Sequence, residues 1–394
     1  MRVLHTSDWH VGRTFHGRDL LADQESVLSG LADLVTDERV DVVVISGDLY
    51  DRAVPSGEAV EVCVRVLGKL RAAGAHIVVT PGNHDSAARV GAFADFAAAG
   101  GLHLCTRTSR LHDPVLIDDE HGPVAFYGIP YLEPDPARHV LNSTAERVPG
   151  ATGSLRARGH AAVLGEAMNR IGADLSARPE GTRSVVLAHA FVTGGEASQS
   201  ERTISVGGVE QVPGSVFDAA DYVALGHLHG PQRIGEHLRY SGSPLAYSFS
   251  EADQRKSVWL LDLDAAGLAG VERRELPVPR ALATVCGRLE DLLNEPEYEA
   301  LRDCYLSATL TDEVRPLDAM RQLQRRFPHA VHLEWQPEEG RATAPLRYSE
   351  AVRGRDDREL TDGFVADCRG APPSESEREL LDEALRAIRT AEDS

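Results

Sequence analysis

Apolar positions along the first 230 residues follow two alternating rhythms. Short β-branched runs, Asp41-Val42-Val43-Val44-Ile45-Ser46 and Ala75-His76-Ile77-Val78-Val79, read as strands covered on both faces. A shorter one spans residues 2–6. Between them apolar residues return every three or four positions: Val27, Leu28, Leu31, Leu34 and Val35 mark one face of a helix over 24–37, and a second helix runs over about 56–73. Strand and helix in alternation predict parallel βαβ units. From about 102 to 130 the pattern shortens (103–104, 115–117, 124–127), which predicts a second layer of sheet. Residues 131–182 read as Pro-rich loops with one helix, 155–175. Strands follow at 184–188, 222–226 and 257–264. After Pro277 the order is strand 281–286, helix 289–294, strand 305–310, helix 315–327, strand 330–335. Residues 341–376 are polar and turn-rich, with Pro372-Pro373 as a linker signal. A last helix, about 377–390, carries Leu381, Leu385 and Ile388 at i, i+4 and i+7. It is too short to persist in water alone, so it packs on its own domain or on a partner chain. The chain thus divides into 1–276, a small α/β part 277–345, and a C-terminal linker and helical segment 346–394.

Strand ends carry the candidate chemistry. The first strand stops at Asp8-Trp9-His10, the second at Gly47-Asp48-Leu49-Tyr50-Asp51-Arg52, the third at Pro81-Gly82-Asn83-His84-Asp85. Later strands deliver His189, then His227 and His229. Residues two apart in extended backbone point to one side, so Asp8 converges with His10, and His227 with His229. In parallel sheets ligands gather beyond the carboxyl ends of the strands, and a core has no use for such groups, since each costs free energy to bury unpartnered. Asp8, His10, Asp48, Asn83, His189, His227 and His229 offer oxygen and nitrogen but no sulfur. That set suits hard to borderline divalent ions such as Mn²⁺ or Fe²⁺ over a Cys-rich zinc site. Seven ligands are too many for one ion that keeps open positions and divide well between two. A metal pair about 3.5–4 Å apart is a known device for in-line displacement at phosphorus.

Composition limits the partners. The 394 residues carry a formal net charge of −20, which argues against a free-standing nucleic-acid or acidic-membrane binder with a broad basic face. Two divalent ions outweigh two ligand carboxylates, and charges beyond a Debye length of about 8 Å are screened, so a phosphate can still be accepted at the site. Five scattered cysteines fit reduced thiols better than a disulfide framework. The N-terminus lacks an apolar signal region, and no run approaches the roughly 20 apolar residues of a membrane span. The expectation is a soluble, cytoplasmic (nucleoid-associated) protein.

In this order, D-x-H, G-D-x-x-D, G-N-H-D, a lone His after a strand and G-H-x-H resemble the calcineurin-like metallophosphoesterases. The fuller wording, His5-Thr6-Ser7-Asp8-Trp9-His10, Gly47 to Ser56, and Gly226-His227-Leu228-His229, is similar to their SbcD-type branch, the bacterial counterpart of the Mre-type nucleases of double-strand-break repair. The resemblance covers essentially the whole chain. It implies an α/β fold, a four-layer α/β/β/α core with a small α/β capping domain and C-terminal helices. It assigns Asp8, His10 and His229 to a first metal, Asn83, His189 and His227 to a second, and Asp48 to the bridge, with Mn²⁺ the expected ion and Fe²⁺ or Mg²⁺ as alternatives. His84 becomes the catalytic histidine and Asp51 the acid that orients it. Arg52 is a phosphate contact or an exposed salt bridge. The implied activity is a double-strand DNA exonuclease and single-strand or hairpin endonuclease in DNA repair, recombination and replication; the alternative is a phosphatase or small-molecule phosphodiesterase of the same superfamily. Implied partners are DNA, a second copy near 56–73 and 84–100, and an SbcC-type coiled-coil ATPase, in a heterotetramer built on the homodimer. Phe364, Leu381, Leu385 and Ile388 are the candidate docking residues for that ATPase.

Overall fold

The β-branched runs form fully buried strands because each faces two layers at once. A computed structural model describes residues 1–145, 155–201, 211–337, 355–369 and 371–392. Within them the chain forms two compact units, Met1–Pro279 and Arg280–Ser394. The parts set apart in the sequence as 277–345 and 346–394 fall almost wholly within the second.

The first unit holds two six-stranded sheets. One runs Gly267–Glu275, Ser257–Asp264, Arg2–Thr6, Val42–Ser46, His76–Thr80, Leu102–Leu104; the other runs Gln232–Arg233, Leu238–Tyr240, Tyr222–Gly226, Arg183–His189, Gly122–Gly128, Val115–Asp119. Arg2–Thr6, Val42–Ser46 and His76–Thr80 are parallel neighbours, and Arg183–His189 is parallel to Tyr222–Gly226. Successive side chains of a strand point to opposite faces, and this splits each run in two. Val43, Ile45, Ile77 and Val79 meet Leu28, Leu31, Val62 and Val66 of the helices Leu21–Asp37 and Gly57–Ala72. Val42, Val44 and Val78 instead meet Phe126, Val185, Leu187 and Tyr222 of the other sheet. That sheet's far face, Ala125, Tyr127, Val186 and Val223, packs on Leu141, Val163 and Ile171, from helices Pro134–Thr144 and His160–Ser176. The order of layers is helix, sheet, sheet, helix. Parallel strands of both sheets direct their carboxyl ends to the same rim.

Several elements depart from the expected pattern. Pro134–Thr144 is a helix inside the expected Pro-rich loop. Its prolines lie in the first turn, where no amide donor is needed. The next helix begins at His160, not 155. Gly267–Glu275 is an edge strand whose glycines and charges hide it from a hydrophobic count.

In the second unit Leu282–Gly287, Tyr305–Leu310 and Ala330–Trp335 form a parallel three-stranded sheet. Leu289–Asn294 and Ala319–Arg326 supply its helices, with Leu292, Leu306, Leu323 and Phe327 in the core. Asp357–Arg369, expected as turn-rich chain, is a helix and carries Phe364. The last helix, Glu375–Glu392, joins it through Arg378–Asp362 at 3.0 Å and Arg358–Asp382 at 2.9 Å. Among the described residues no helix is long and apolar enough to cross a membrane.

Candidate metal centre

Each strand that ends at the shared rim contributes a turn, and the turns are hydrogen-bonded to one another. The Asp8 amide donates to the Gly47 carbonyl at 3.1 Å, the His10 amide to Asp48 O at 2.9 Å, and the Gly47 amide to Thr80 O at 2.9 Å. Asp85 locks two of these turns together. Its carboxylate accepts the amides of Leu49, Tyr50 and Gly82 at 2.9, 2.9 and 3.0 Å. Gln24 holds a third: its amide nitrogen donates to His10 O at 2.8 Å, while its oxygen accepts the Gly12 amide at 2.9 Å. The Tyr247 hydroxyl donates to Trp9 O at 2.6 Å.

Asp8, His10, Asp48, His84, His189, His227 and His229 are all buried at this rim, and Asn83 is half-buried. Donor atoms of Asp8, His10 and His229 lie within 4.8 Å of one another. So do those of Asp8, Asp48 and His189, and those of His10, Asp48 and His84. His227 stands slightly apart, its ring centre 5.3 Å from that of His189, and its amide donates to Asp8 Oδ1 at 2.9 Å.

The hydrogen-bond partners fix which ring atoms face inward. His189 Nδ1 donates to the Ser46 carbonyl at 3.2 Å, leaving Nε2 against the Asn83 side-chain oxygen at 2.8 Å and Asp48 Oδ2 at 3.4 Å. His229 Nδ1 donates to Ser200 Oγ at 2.6 Å, leaving its Nε2 facing His10 Nε2 at 3.1 Å. Asn83 through its amide nitrogen, and neutral His10 through Nε2–H, can each act as the donor in two of these contacts. His189 Nε2 against Asp48 Oδ2 sets acceptor against acceptor, which a proton or a cation reconciles. In the metal-free protein a proton does so at His189: burial opposes the imidazolium, but Asp48 outweighs it and the pKa rises to about 9. Burial likewise opposes the Asp48 carboxylate, which His189 nonetheless holds well below the usual range. Burial pushes Asp8 up to about 6, pulls His227 down to about 3 and lowers His10 strongly. A proton between His10 and His229 leaves His10 Nδ1 buried without a hydrogen bond. A cation there lets Nδ1 carry the proton instead, toward Asp51 Oδ1 at 3.7 Å. Metal-bound histidines are ordinarily braced by a carboxylate in this way. The donor set therefore fits two divalent cations.

His84 Nδ1 donates to the backbone carbonyl of Asp51 at 2.8 Å. A carbonyl only accepts, so Nε2 is turned into the pocket, 4.0 Å from Asp48 Oδ2. The Asp51 carboxylate, expected to orient His84, lies instead beside His10 and Arg13. Arg52 is 76% exposed, with Nε 3.6 Å from Asp51 Oδ2. Phe364 is 67% exposed and lines a cleft with Leu317, Leu333 and Trp335. Leu381 and Leu385 are half-buried, and the Ile388 side chain lies outside the described residues.

Sequence reading missed Ser200, Glu251 and Lys256, which stand behind His229. Burial opposes charge on Glu251, yet hydrogen bonding toward His229 and the charge of Lys256 keep its carboxyl well below the usual range. Nothing in local spacing announces this group. Lys256 is one of only two lysines in the chain, and that rarity is the one signal the sequence offers for it.

A family model for calcineurin-like phosphoesterase matches residues 1–231. A second, SbcD_C, described as the type 5 capsule protein repressor C-terminal domain, matches residues 278–368. Among solved structures, TT1561 of Thermus thermophilus is 15% identical, with a TM-score of 0.38, over 70% of this chain and 98% of its own. A dimetal phosphatase from Danio rerio is 13% identical, with a TM-score of 0.41, over 71% and 99%.

Proposed function

We propose, from the premise that the chain belongs to the calcineurin-like phosphoesterase family, that it is a DNA phosphodiesterase of the SbcD type using two divalent cations. Membership makes it a metal-dependent hydrolase of phosphoester bonds. The observation that supports the two-cation reading is the convergence at one buried rim of two donor groups, Asp8 with His10 and His229, and Asp8 with Asp48 and His189, the donor atoms of each lying within 4.8 Å of one another. On this reading Asp8, His10 and His229 hold one ion, Asn83, His189 and His227 the other, and Asp48 lies between them. Bound there, two divalent ions would supply Lewis-acid polarisation of phosphoryl oxygens and activation of water. The chain's own part is to keep these donors deprotonated and aimed inward, and to hold His84 Nε2 toward the substrate. Protonated, that nitrogen can donate to a phosphoryl or leaving oxygen.

The DNA substrate is supported by the second family match over 278–368, in a part of the chain where no group of potential metal donors occurs among the described residues. A chain with a net charge of −20 holds long DNA weakly, because affinity for the phosphate backbone rests on Lys and Arg. We therefore assign much of the DNA affinity to an SbcC-type ATPase partner and to a homodimer, in the cytoplasm. Mn²⁺ is the ion we assign, with Fe²⁺ or Mg²⁺ as alternatives, since a donor set of oxygen and nitrogen without sulfur suits hard to borderline divalent ions.

The test is incubation of the purified chain with Mn²⁺ and a linear duplex or a hairpin, with p-nitrophenyl phosphate alongside. Cleavage of DNA supports the reading, and turnover of the monoester alone makes the protein a phosphatase. His84→Ala is expected to retain both metals by mass spectrometry while cleavage falls about 10²–10⁴-fold. Loss of a metal would make His84 a ligand.

A further inference from the structure

Glu251 and Lys256 form an ion pair at 2.5 Å with side chains 0% and 1% exposed. Such pairs add little stability, since desolvation offsets their attraction, so the location of this one calls for another reason. Both its ends bear on His229. Lys256 Nζ donates to the His229 carbonyl at 3.0 Å, and also to Ser243 Oγ at 3.0 Å and Gln254 Oε1 at 2.9 Å. Glu251 Oε1 accepts the Ser200 hydroxyl. Ser200 Oγ in turn accepts His229 Nδ1–H. Further bonds pin the intermediary: Arg13 donates to the Ser200 carbonyl at 2.9 Å, and the His229 amide to Glu201 Oε1 at 2.8 Å. The pair therefore brackets His229 at its backbone and at its ring, where Glu251 Oε1 lies 3.5 Å from Nδ1 and the Ser200 hydroxyl closes the gap with shorter bonds to both.

The choice of cation agrees. Every other basic residue except Lys69 is arginine, and Lys69 is exposed. At position 256 the acceptors surround one nitrogen, which suits a rotatable ammonium with three donors and not the planar guanidinium fork.

We propose that the Glu251–Lys256 pair, acting through the Ser200 hydroxyl, is the positioning element for His229 and sets the affinity of one of the two cation sites. Ser200 and Glu251 keep the proton on Nδ1, so that Nε2 always presents its lone pair; Lys256 keeps the turn that carries the ring from shifting. The inference rests on the two-cation reading above.

It is tested by two-site Mn²⁺ titration calorimetry on the full chain, with melting of the metal-free protein as a second readout. Ser200→Ala removes the hydroxyl without unpairing the buried charges. It is expected to weaken one site about 10–100-fold, as loss of such supporting bonds does, with the other site within about twofold and metal-free melting unchanged. Ser200→Thr, which keeps the hydroxyl, is expected to restore the weakened site, and Glu251→Gln to weaken the same one. Unchanged affinities in Ser200→Ala overturn the proposal, as does a fall at both sites together with lower metal-free melting, which marks a structural role. A wild-type chain that does not bind two ions overturns the two-cation reading itself.

Discussion

Four pocket residues stand on backbone that their side chains ordinarily avoid: Asp8, His10, Asp48 and His227 have φ of 52°, 47°, 48° and 106°. Each such residue costs on the order of 1–3 kcal/mol and persists where its surroundings over-determine it. Interlocked turns supply that constraint, and the strain aims the side chains inward. Behind them His5 ties the two sheets together. Its Nε2 donates to Leu225 O at 3.2 Å, so Nδ1 accepts the Tyr222 hydroxyl at 2.9 Å. Burial lowers its pKa to about 3, from the ordinary 6.5 of an exposed histidine. Above pH 6.5 the ring is neutral whether the chain is folded or not, and no stability is at stake. Between 6.5 and 3 the unfolded chain takes up a proton that the fold refuses, so stability falls as pH falls. From about pH 6.5 to 5 this costs about 2 kcal/mol at about 1.4 kcal/mol per unit. His5→Gln, although less stable at about pH 7, is expected to lose that much less over the same interval in urea titrations of metal-free protein. Equal losses in both proteins would show that His5 does not set the slope.

At the scale of elements, the pocket exists because strand ends of different sheets touch. A Cβ built on Gly226 would lie 1.7 Å from the Ser46 carbonyl oxygen and 2.9 Å from His189 Nδ1; one on Gly82 would lie 2.1 Å from Asp48 Oδ1. Gly226 closes Tyr222–Gly226 and Ser46 closes Val42–Ser46, so the obstacle is backbone and cannot swing aside. Gly226→Ala is accordingly expected to force the sheets apart at the rim, lowering both melting temperature and bound metal. Gly270→Ala, in a strand where a Cβ meets nothing within 4 Å, is the control and is expected to leave both unchanged. Wild-type metal content and melting in Gly226→Ala would remove close approach as the reason for this glycine. The strands, their polar ends and the side chains that gather at the rim were legible in sequence, because β-branched runs and short motifs are local signals. What escaped reading is long-range or hidden by residue type. The left-handed turns use no glycine at Asp8 or Asp48, Pro134–Thr144 begins with residues that resemble a loop, and Glu251 reaches His229 across a turn that no spacing predicts. The Asp51 carbonyl and carboxylate belong to one residue in sequence, yet the first bonds His84 and the second lies beside His10, 3.7 Å from its Nδ1.

For the molecule as a whole, the metal-free centre is a concentrated electrostatic cost. Buried Asp8 and Asp48 face His10, His189, His227 and His229, and their opposed pKa shifts record the strain of sharing too few protons. Every group of close potential metal donors among the described residues lies in Met1–Pro279. A ligand that binds only the folded state stabilises it by about 2.7 kcal/mol per site at a hundredfold excess over its dissociation constant. Two sites then contribute about 5 kcal/mol, which for a unit of this size raises melting by on the order of 10 °C. The second unit has its own sheet and core, so it melts by itself and is indifferent to metal. Scanning calorimetry of the full chain is expected to show two transitions. Adding Mn²⁺ raises one and leaves the other in place, and a chelator reverses the change. Residues 280–394 produced alone should melt at the temperature of the unmoved transition, with or without Mn²⁺. A single transition, or equal shifts in both, would mean that the units do not unfold independently and that the metal centre stabilises the chain as one body.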